Sequence, residues 1–438
     1  MFKSIKKTFS LSVCILFVVI SIYTTFNISL WKTKGGILNW DMGCYHLYLP
    51  ATFINHDLSQ LQFYPKIDST YCLNNGSRWW GIHEHPITHK KIIKYTYGVA
   101  LLEAPLFFVA NCYCKISDYK LNDGYSPPYQ LMVCFSTILF CFLGLLLIRN
   151  FLQFFFDDIA IAISLLVISV GTNLFFYTTI EPGLSHIYLF FLYALIINLS
   201  WKSTLNFTCK NAILIGFAIG LTTLIRPIDF TIMIFPLFFI LKNSNLKSTL
   251  IWKKIGVASI FVFIPIFIQM LYWKTTTGCW IYYSYQNEGF NFTDPHLKDG
   301  YFSFQKGWFV YTPLAFFGFL GIAIILKNKI QKFYVLPVIL FFCIASYITF
   351  SWYDWAYAGS FGCRAMVQTY AVLAFPLASL TQYILSKKIK FLLLMYAIII
   401  LLGTTLNLFQ TLQYYRGIFS VDKMDRALYI EIFGKLKK

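Results

Sequence analysis

The chain has 438 residues, 58% of them hydrophobic and only 12% charged, with a mean hydropathy of +0.63. Soluble domains carry about twice that charged fraction, so a soluble globular fold is excluded. The formal net charge of +18 does not point to nucleic acid. The lysines and arginines fall in short clusters between apolar runs, as they do in the cytoplasmic loops of membrane proteins, and no nucleic-acid partner is expected.

A membrane-spanning helix needs roughly 20 apolar residues, and runs of that kind recur along the whole sequence. The alternating pattern of a membrane β-barrel is absent, so the expected fold is all-α and polytopic. Taken in order, eleven spans are expected at 9–30, 127–148, 159–178, 184–200, 211–226, 228–242, 254–273, 308–326, 333–350, 365–385 and 391–410. The first follows Met1-Phe-Lys-Ser-Ile-Lys-Lys without a small-residue cleavage site and is expected to remain as a helix.

One apolar stretch, 99–114, is left out of that count. It carries Glu103 and Pro105 in its middle. If it does not cross, the clusters Lys3/Lys6/Lys7, Arg149, Lys202/Lys210, Lys242/Lys247/Lys253/Lys254, Lys327/Lys329/Lys332 and Lys387/Lys388/Lys390 all fall on one side. If it crosses, every later cluster changes side. The positive-inside rule therefore makes it an interfacial or re-entrant helix on the outer face.

This topology gives a single membrane domain over 1–438. The first outer loop is large, 31–125, and holds interfacial helices. A second outer loop covers 274–306 and a third 351–364, and the tail 411–438 is expected outside as a short packed helix. The expected location is the inner, cytoplasmic membrane, with the working face toward the periplasm or exterior. Cys44, Cys72, Cys279 and Cys363 fall in outer segments, where a disulfide is chemically feasible and no pairing is assigned.

Ionisable residues are informative in such a chain, because placing them at a membrane is costly. Asp41, in Trp40-Asp41-Met42-Gly43-Cys44-Tyr45-His46, sits just above the first span, as a general base or as a helix N-cap. Glu181, Ser185 and His186 occupy a short outer turn, Ile180-Glu181-Pro182-Gly183-Leu184-Ser185-His186, which Pro-Gly alone would suffice to make. Arg226 in Arg226-Pro227-Ile228-Asp229 is either a phosphate ligand or one half of a turn-stabilising pair with Asp229. Arg364 closes Trp352-Tyr353-Asp354-Trp355-Ala356-Tyr357-Ala358-Gly359-Ser360-Phe361-Gly362-Cys363-Arg364. Lys94 precedes Tyr95-Thr96-Tyr97-Gly98. Guanidinium groups bind phosphate through two parallel hydrogen bonds and Lys as a point charge; snorkelling anchors are the plain alternative. Trp355 and Tyr357 can stack on a sugar or belong to the interfacial aromatic belt, and Gly359-Ser360 allows close approach of a ligand. His83-Glu84-His85 has metal-ligand chemistry, but neighbours on one loop seldom all face one ion.

Together these motifs resemble the GT-C superfamily of membrane glycosyltransferases, which includes the protein O-mannosyltransferases and the transferases that add aminoarabinose to lipid A. The resemblance covers nearly the whole chain. It rests on the early Asp41 of a long first outer loop, Lys94-Tyr95-Thr96-Tyr97-Gly98, and Gly171-Thr172-Asn173. It rests also on Glu181-Pro182-Gly183-Leu184-Ser185-His186, Arg226-Pro227 and Tyr357-Ala358-Gly359-Ser360-Phe361-Gly362-Cys363-Arg364, which look like a group of bacterial, largely uncharacterised members. The resemblance implies inverting transfer of a sugar from a polyprenyl-phosphate donor to a glycan, lipid or protein acceptor. Asp41 would be the base and Glu181 the second acidic residue. Lys94, Arg226 and Arg364 would hold the lipid phosphate, and Tyr95, His186, Trp355, Tyr357 and Ser360 would line the substrate site. The chain departs from the common pattern by carrying Glu at position 181 and by lacking Pro-Pro after Lys94. A divalent ion at Asp41 and Glu181 is left open, since metal use varies across the superfamily. The competing readings are a lipid-linked glycan polymerase, a lipid or oligosaccharide flippase, and a non-catalytic scaffold; a flippase calls for polar or charged groups deep in the spans.

Overall fold

The computed structural model describes residues 8–77, 79–119, 121–243, 248–328, 331–420 and 423–437. Lys3, Lys6, Lys7, Lys247 and Lys329 of the basic clusters, and part of the 411–438 tail, lie outside the described residues. The chain is about 70% helical, and its one sheet among the described residues is a two-stranded antiparallel hairpin, Ile82–Glu84 with Lys91–Ile93. This is an all-helical, multi-pass membrane architecture.

Among the described residues, seven helices are long and apolar enough to cross a bilayer. Six of them fall on expected spans: Phe9–Lys32, Pro127–Leu152, Ser185–Leu205, Thr249–Thr277, Lys332–Phe350 and Lys390–Tyr415. The seventh is Gly98–Ile116, the stretch left out of the sequence-based count. The other expected spans are shorter or interrupted. Asp158–Val170 stops at Gly171 and resumes as Leu174–Thr179. Pro227–Met233 is a 3-10 segment leading into Ile234–Asn243. Pro313 separates Trp308–Tyr311 from Ala315–Lys327, and a 3-10 turn, Arg364–Thr369, precedes Tyr370–Lys387. Irregular backbone at membrane depth is tolerated only where protein or a cavity satisfies it. Here the breaks at 171–173, 226–227, 312–313 and 364–369 gather at the end of the bundle that carries the long loops.

That loop end can be traced from contacts. Pro127–Leu152 and Ser185–Leu205 run parallel: the hydroxyl of Tyr188, in the first turn of the latter, bonds Ser136 at 3.2 Å, and Asn198 donates to the Leu147 carbonyl at 2.6 Å further along both helices. Arg226, capping Cys209–Ile225, returns to His186 at the start of Ser185–Leu205. Gly98 packs on Leu221 and Ile225, while Asn111 takes a hydrogen bond from Tyr129 in the first turn of Pro127–Leu152 at 3.0 Å. Gly98 and Asn111 therefore both meet the loop end of these neighbours. Arg149, Lys202, Lys254, Lys327 and Lys387 all sit in the turns at the opposite end.

Close packing fixes the bundle. Cys209–Ile225 lies against Thr249–Thr277 through Gly216 and Gly220, where an added Cβ would stand 2.2 Å from the Ala258 and Val262 carbonyl oxygens respectively. Small residues four apart let helix backbones touch in this way. The lipid-type face of Thr249–Thr277 exposes Ile260, Phe263, Phe267 and Leu271. The tail does form a short packed helix, Arg426–Ile432, held by Gln410 to the Tyr429 hydroxyl at 2.6 Å and by Gln413 to the Ile432 carbonyl at 2.8 Å.

The buried acid Glu103 is part of this framework. Its carboxylate meets His46 Nδ1 at 3.0 Å and takes a bond from the Tyr188 hydroxyl at 3.1 Å, while His46 Nε2 reaches the Gly124 carbonyl at 2.9 Å. All eleven cysteines are free thiols, so no disulfide closes the loop segments.

Candidate active site

Asp41 lies in the first turn of the helix Trp40–His46. The cap position belongs to Asn39, one residue before that helix, so Asp41 is not the N-cap residue. Its side chain reaches into the loop end instead. Tyr95 donates from its hydroxyl to Asp41 Oδ1 at 2.6 Å, and Arg364 Nη2 donates to Oδ2 at 3.1 Å. Burial, reinforced by the Asp41 charge, holds the Tyr95 hydroxyl protonated well above the usual phenol range, which suits its role as donor. Arg364 is delivered by the 3-10 turn Arg364–Thr369, and its Nε is buried with no hydrogen-bond partner among the described residues.

Glu181 faces the same pair. It hangs from the turn between Leu174–Thr179 and Ser185–Leu205, a turn made possible by Gly183 at φ +90°. Burial pushes its carboxyl up from 4.5 to about 7; the Arg364 and Lys306 charges pull it down, and Asp41 pushes it further up. Lys306 is itself buried, 4% exposed, and donates to the Ser360 carbonyl while lying 5.7 Å from the Tyr414 ring. The fold thus gathers two carboxylates, a guanidinium and an ammonium from positions 41, 181, 306 and 364.

A second cluster adjoins the first. Arg226 pairs with Asp229 at 3.5 Å, its guanidinium lies 5.7 Å from the Tyr357 ring, and its Nη1 meets His186 Nδ1 at 3.5 Å. Asp229 Oδ1 also accepts from Tyr193 at 2.6 Å and from Gln368 at 2.9 Å. The turn-stabilising pair expected for Arg226 is present, and the arginine is part of the site wall as well. Tyr45 joins the clusters: its ring packs on Tyr95 at 4.6 Å, and Asp41, Arg226 and Arg364 all lie within electrostatic reach of it.

The remaining sequence candidates divide. Lys94 is beside the site but bonded to Glu288 at 2.5 Å. The Ser360 hydroxyl bonds the Ala356 and Gly362 carbonyls at 3.2 and 3.1 Å, so it shapes its own loop. Trp355 stacks on His296 at 5.6 Å rather than on Asp41, Glu181 or Arg364. His83 and His85 share one side and Glu84 faces the other, as alternation along a strand requires: both histidine rings pack on Tyr282, His85 also meets Thr88, and Glu84 pairs with Lys91 and His89. Among the described residues no three His, Cys, Asp or Glu side chains converge. With Arg364 seated on Asp41, the donor set near Asp41 and Glu181 does not fit a divalent ion.

Lys306, Tyr45, Asp229 as a hydrogen-bond hub, Gln368 and Glu288 were not singled out in the sequence. Lys306 carried a usable signal: in Gln305-Lys306-Gly307-Trp308 it is a cation at the expected outer end of a span, against the positive-inside trend. No protein-family model matches the chain, and no curated protein matches it significantly.

Proposed function

We propose that the chain is an inverting glycosyltransferase working at the outer face of the inner membrane, drawing its sugar from a polyprenyl-phosphate donor. The observation that carries this reading is the convergence of Asp41, Glu181, Arg364 and Lys306 at the loop end, next to lipid-facing helices. Glycosyl transfer from a lipid phosphate needs a group to take the acceptor's proton and cations for the phosphate that departs. Glu181 fits the first need better than Asp41. A carboxyl near 7 is matched to neutral pH, whereas both Asp41 oxygens already accept hydrogen bonds. Asp41 then orients Arg364 and Tyr95 around the reacting centre. The unpartnered Arg364 Nε, with Lys306 and Arg226 nearby, offers donors to phosphate oxygens. Tyr45, Tyr357 and His186 wall the sugar side.

The acceptor hydroxyl or amine attacks the anomeric carbon from the face opposite the phosphate. The new bond forms as the carbon–oxygen bond to phosphate breaks, Glu181 takes the proton, and the polyprenyl phosphate leaves with the bonding electron pair. Glu103 weighs against a flippase, because it is closed off by His46 and Tyr188 instead of lining a path. The test is incubation of purified protein with a panel of radiolabelled polyprenyl-phosphate sugars and membrane acceptors. Transfer from at least one donor, lost in Glu181→Gln, is expected; no transfer from any donor would overturn the proposal.

A further inference from the structure

Lys94, the cation expected to meet the donor's phosphate, is already occupied. Its ammonium donates to Glu288 Oε1 at 2.5 Å and lies 5.0 Å from the Tyr285 ring and 5.6 Å from the Tyr95 ring. Glu288 belongs to the 278–296 segment of the second long loop, so the pair joins two loops 194 residues apart in sequence. The same segment is fastened on both sides. Ser284 donates to the Lys94 carbonyl at 2.6 Å, Tyr353 N–H to the Gly289 carbonyl at 3.0 Å, and Asn291 N–H to the Ser351 carbonyl at 2.7 Å. The Tyr285 ring meets Tyr95 at 5.9 Å and Trp352 at 5.8 Å. Tyr95 is the residue that bonds Asp41, so the covering segment lies directly beside the carboxylate cluster.

We propose that Glu288 is an internal competitor for an anion-binding site at Lys94, and that its ion pair is the clasp holding the 278–296 segment over the active site. An ammonium is a point charge that accepts a carboxylate or a phosphate oxygen alike. A phosphate group arriving at Lys94 displaces Glu288, and the segment loosens from the loop bearing Lys94. The inference rests on the proposed phosphate-lipid donor. It adds a residue that sets the affinity of the site. It also has an asymmetry built into it. A phosphodiester donor carries one negative charge, whereas the monoester that remains after transfer carries close to two at neutral pH. The monoester therefore competes more strongly for Lys94, and Glu288, returning to Lys94, opposes its retention.

The experiment uses the full-length protein in detergent with a short-chain polyprenyl monophosphate as the probe, in parallel with amide hydrogen exchange over 278–296. Glu288→Gln keeps the shape and removes the competing charge. Freeing a site that is mostly self-occupied raises apparent affinity by the fraction released, here about 2- to 5-fold, the upper range for an ion pair at a partly exposed site. Exchange over 278–296 should quicken in ligand-free Glu288→Gln, and in the wild type when the monophosphate binds. Lys94→Gln should quicken exchange equally but weaken binding. Unchanged affinity and exchange in Glu288→Gln overturns the inference. If affinity and exchange respond as stated and no sugar is transferred from any donor, the clasp stands and the enzymatic reading falls.

Discussion

The acid limb of the pH profile gives the sharpest test of the site. Burial raises the Glu181 carboxyl from 4.5 to about 7. At pH 6 about nine in ten of these carboxyls then hold a proton, and at pH 8 about one in ten. A base must be empty to accept a proton. The expected kcat/KM therefore climbs about tenfold per pH unit below neutrality and levels off above it. Glu181→Gln should remove that limb and lower the plateau by about 10²–10⁴-fold. Arg364 is the largest influence pulling the carboxyl down, so in Arg364→Gln the limb should move to higher pH in whatever activity remains. The same shift has a sign for stability. The folded chain binds a proton that the unfolded chain has released between about pH 4.5 and 7, so stability falls as pH rises through that window. Glu181→Gln should be relatively more stable than the wild type at pH 8 than at pH 5. The assays are radiolabelled sugar transfer and detergent-phase melting across pH 5–9. A limb near pH 7 that persists unchanged in Glu181→Gln would refute the assignment of the base.

Asp41→Asn keeps the size of the side chain but removes the charge facing Arg364. Losing a charge-assisted hydrogen bond costs about 1.5–3 kcal/mol, so transfer should fall roughly 10- to 150-fold while melting stays near wild type; near-normal turnover would return Asp41 to a structural role. Arg364→Lys should recover donor affinity only partly relative to Arg364→Ala in equilibrium binding, because the planar fork is lost. Glu103→Ala removes the partner of His46 Nδ1 and one of the two partners of the Tyr188 hydroxyl and should lower stability by about 1–3 kcal/mol, with Glu103→Gln closer to wild type in the same melting assay. In a cysteine-free background, Ser117→Cys should react with a membrane-impermeant thiol reagent from outside intact cells; labelling only after permeabilisation would mean that Gly98–Ile116 crosses.

Much of this was legible because an apolar chain has few charges to spend on anything incidental. Asp41, Glu181, Arg226 and Arg364 could be picked out as ionisable residues at one set of helix ends, and their convergence needed only the correct pairing of those ends. The parity of the basic clusters leads to the expectation that Gly98–Ile116 does not cross, although its 19-residue length and hydropathy place it among the helices able to do so. What escaped were partners remote in sequence. The Asp41–Arg364 pair spans 323 positions and leaves no periodic trace. Glu288 looked like an ordinary acid in a polar loop, and Lys306 like a loop boundary. Trp355 misled in the other direction, since aromatic residues at an interface carry no sign of which way they face. Helix lengths were also overestimated where Gly171 or Pro313 interrupts a run that hydropathy alone reads as continuous.

In the proposed reaction, the charges around Glu181 change in step with those of the leaving group. Three carboxylates, Asp41, Glu181 and Asp229, face three cations, Arg226, Lys306 and Arg364. With Glu181 ionised, the formal sum is zero, and two of the acids are held by arginines. Proton transfer to Glu181 leaves the cleft with one net positive charge. That charge appears at the moment when the departing phosphate gains its additional negative charge. Stabilisation aimed at charge that develops during reaction lowers a barrier more than stabilisation present throughout. Glu181 would thus serve twice with one proton, activating the acceptor and unmasking Lys306 and Arg364 for the leaving group. On this account the two carboxylates are not interchangeable. Asp41 must stay charged to hold Arg364 in place, and Glu181 must be able to lose its charge. The burial that lifts the Glu181 carboxyl to about 7 is therefore part of the chemistry and not an accident of packing.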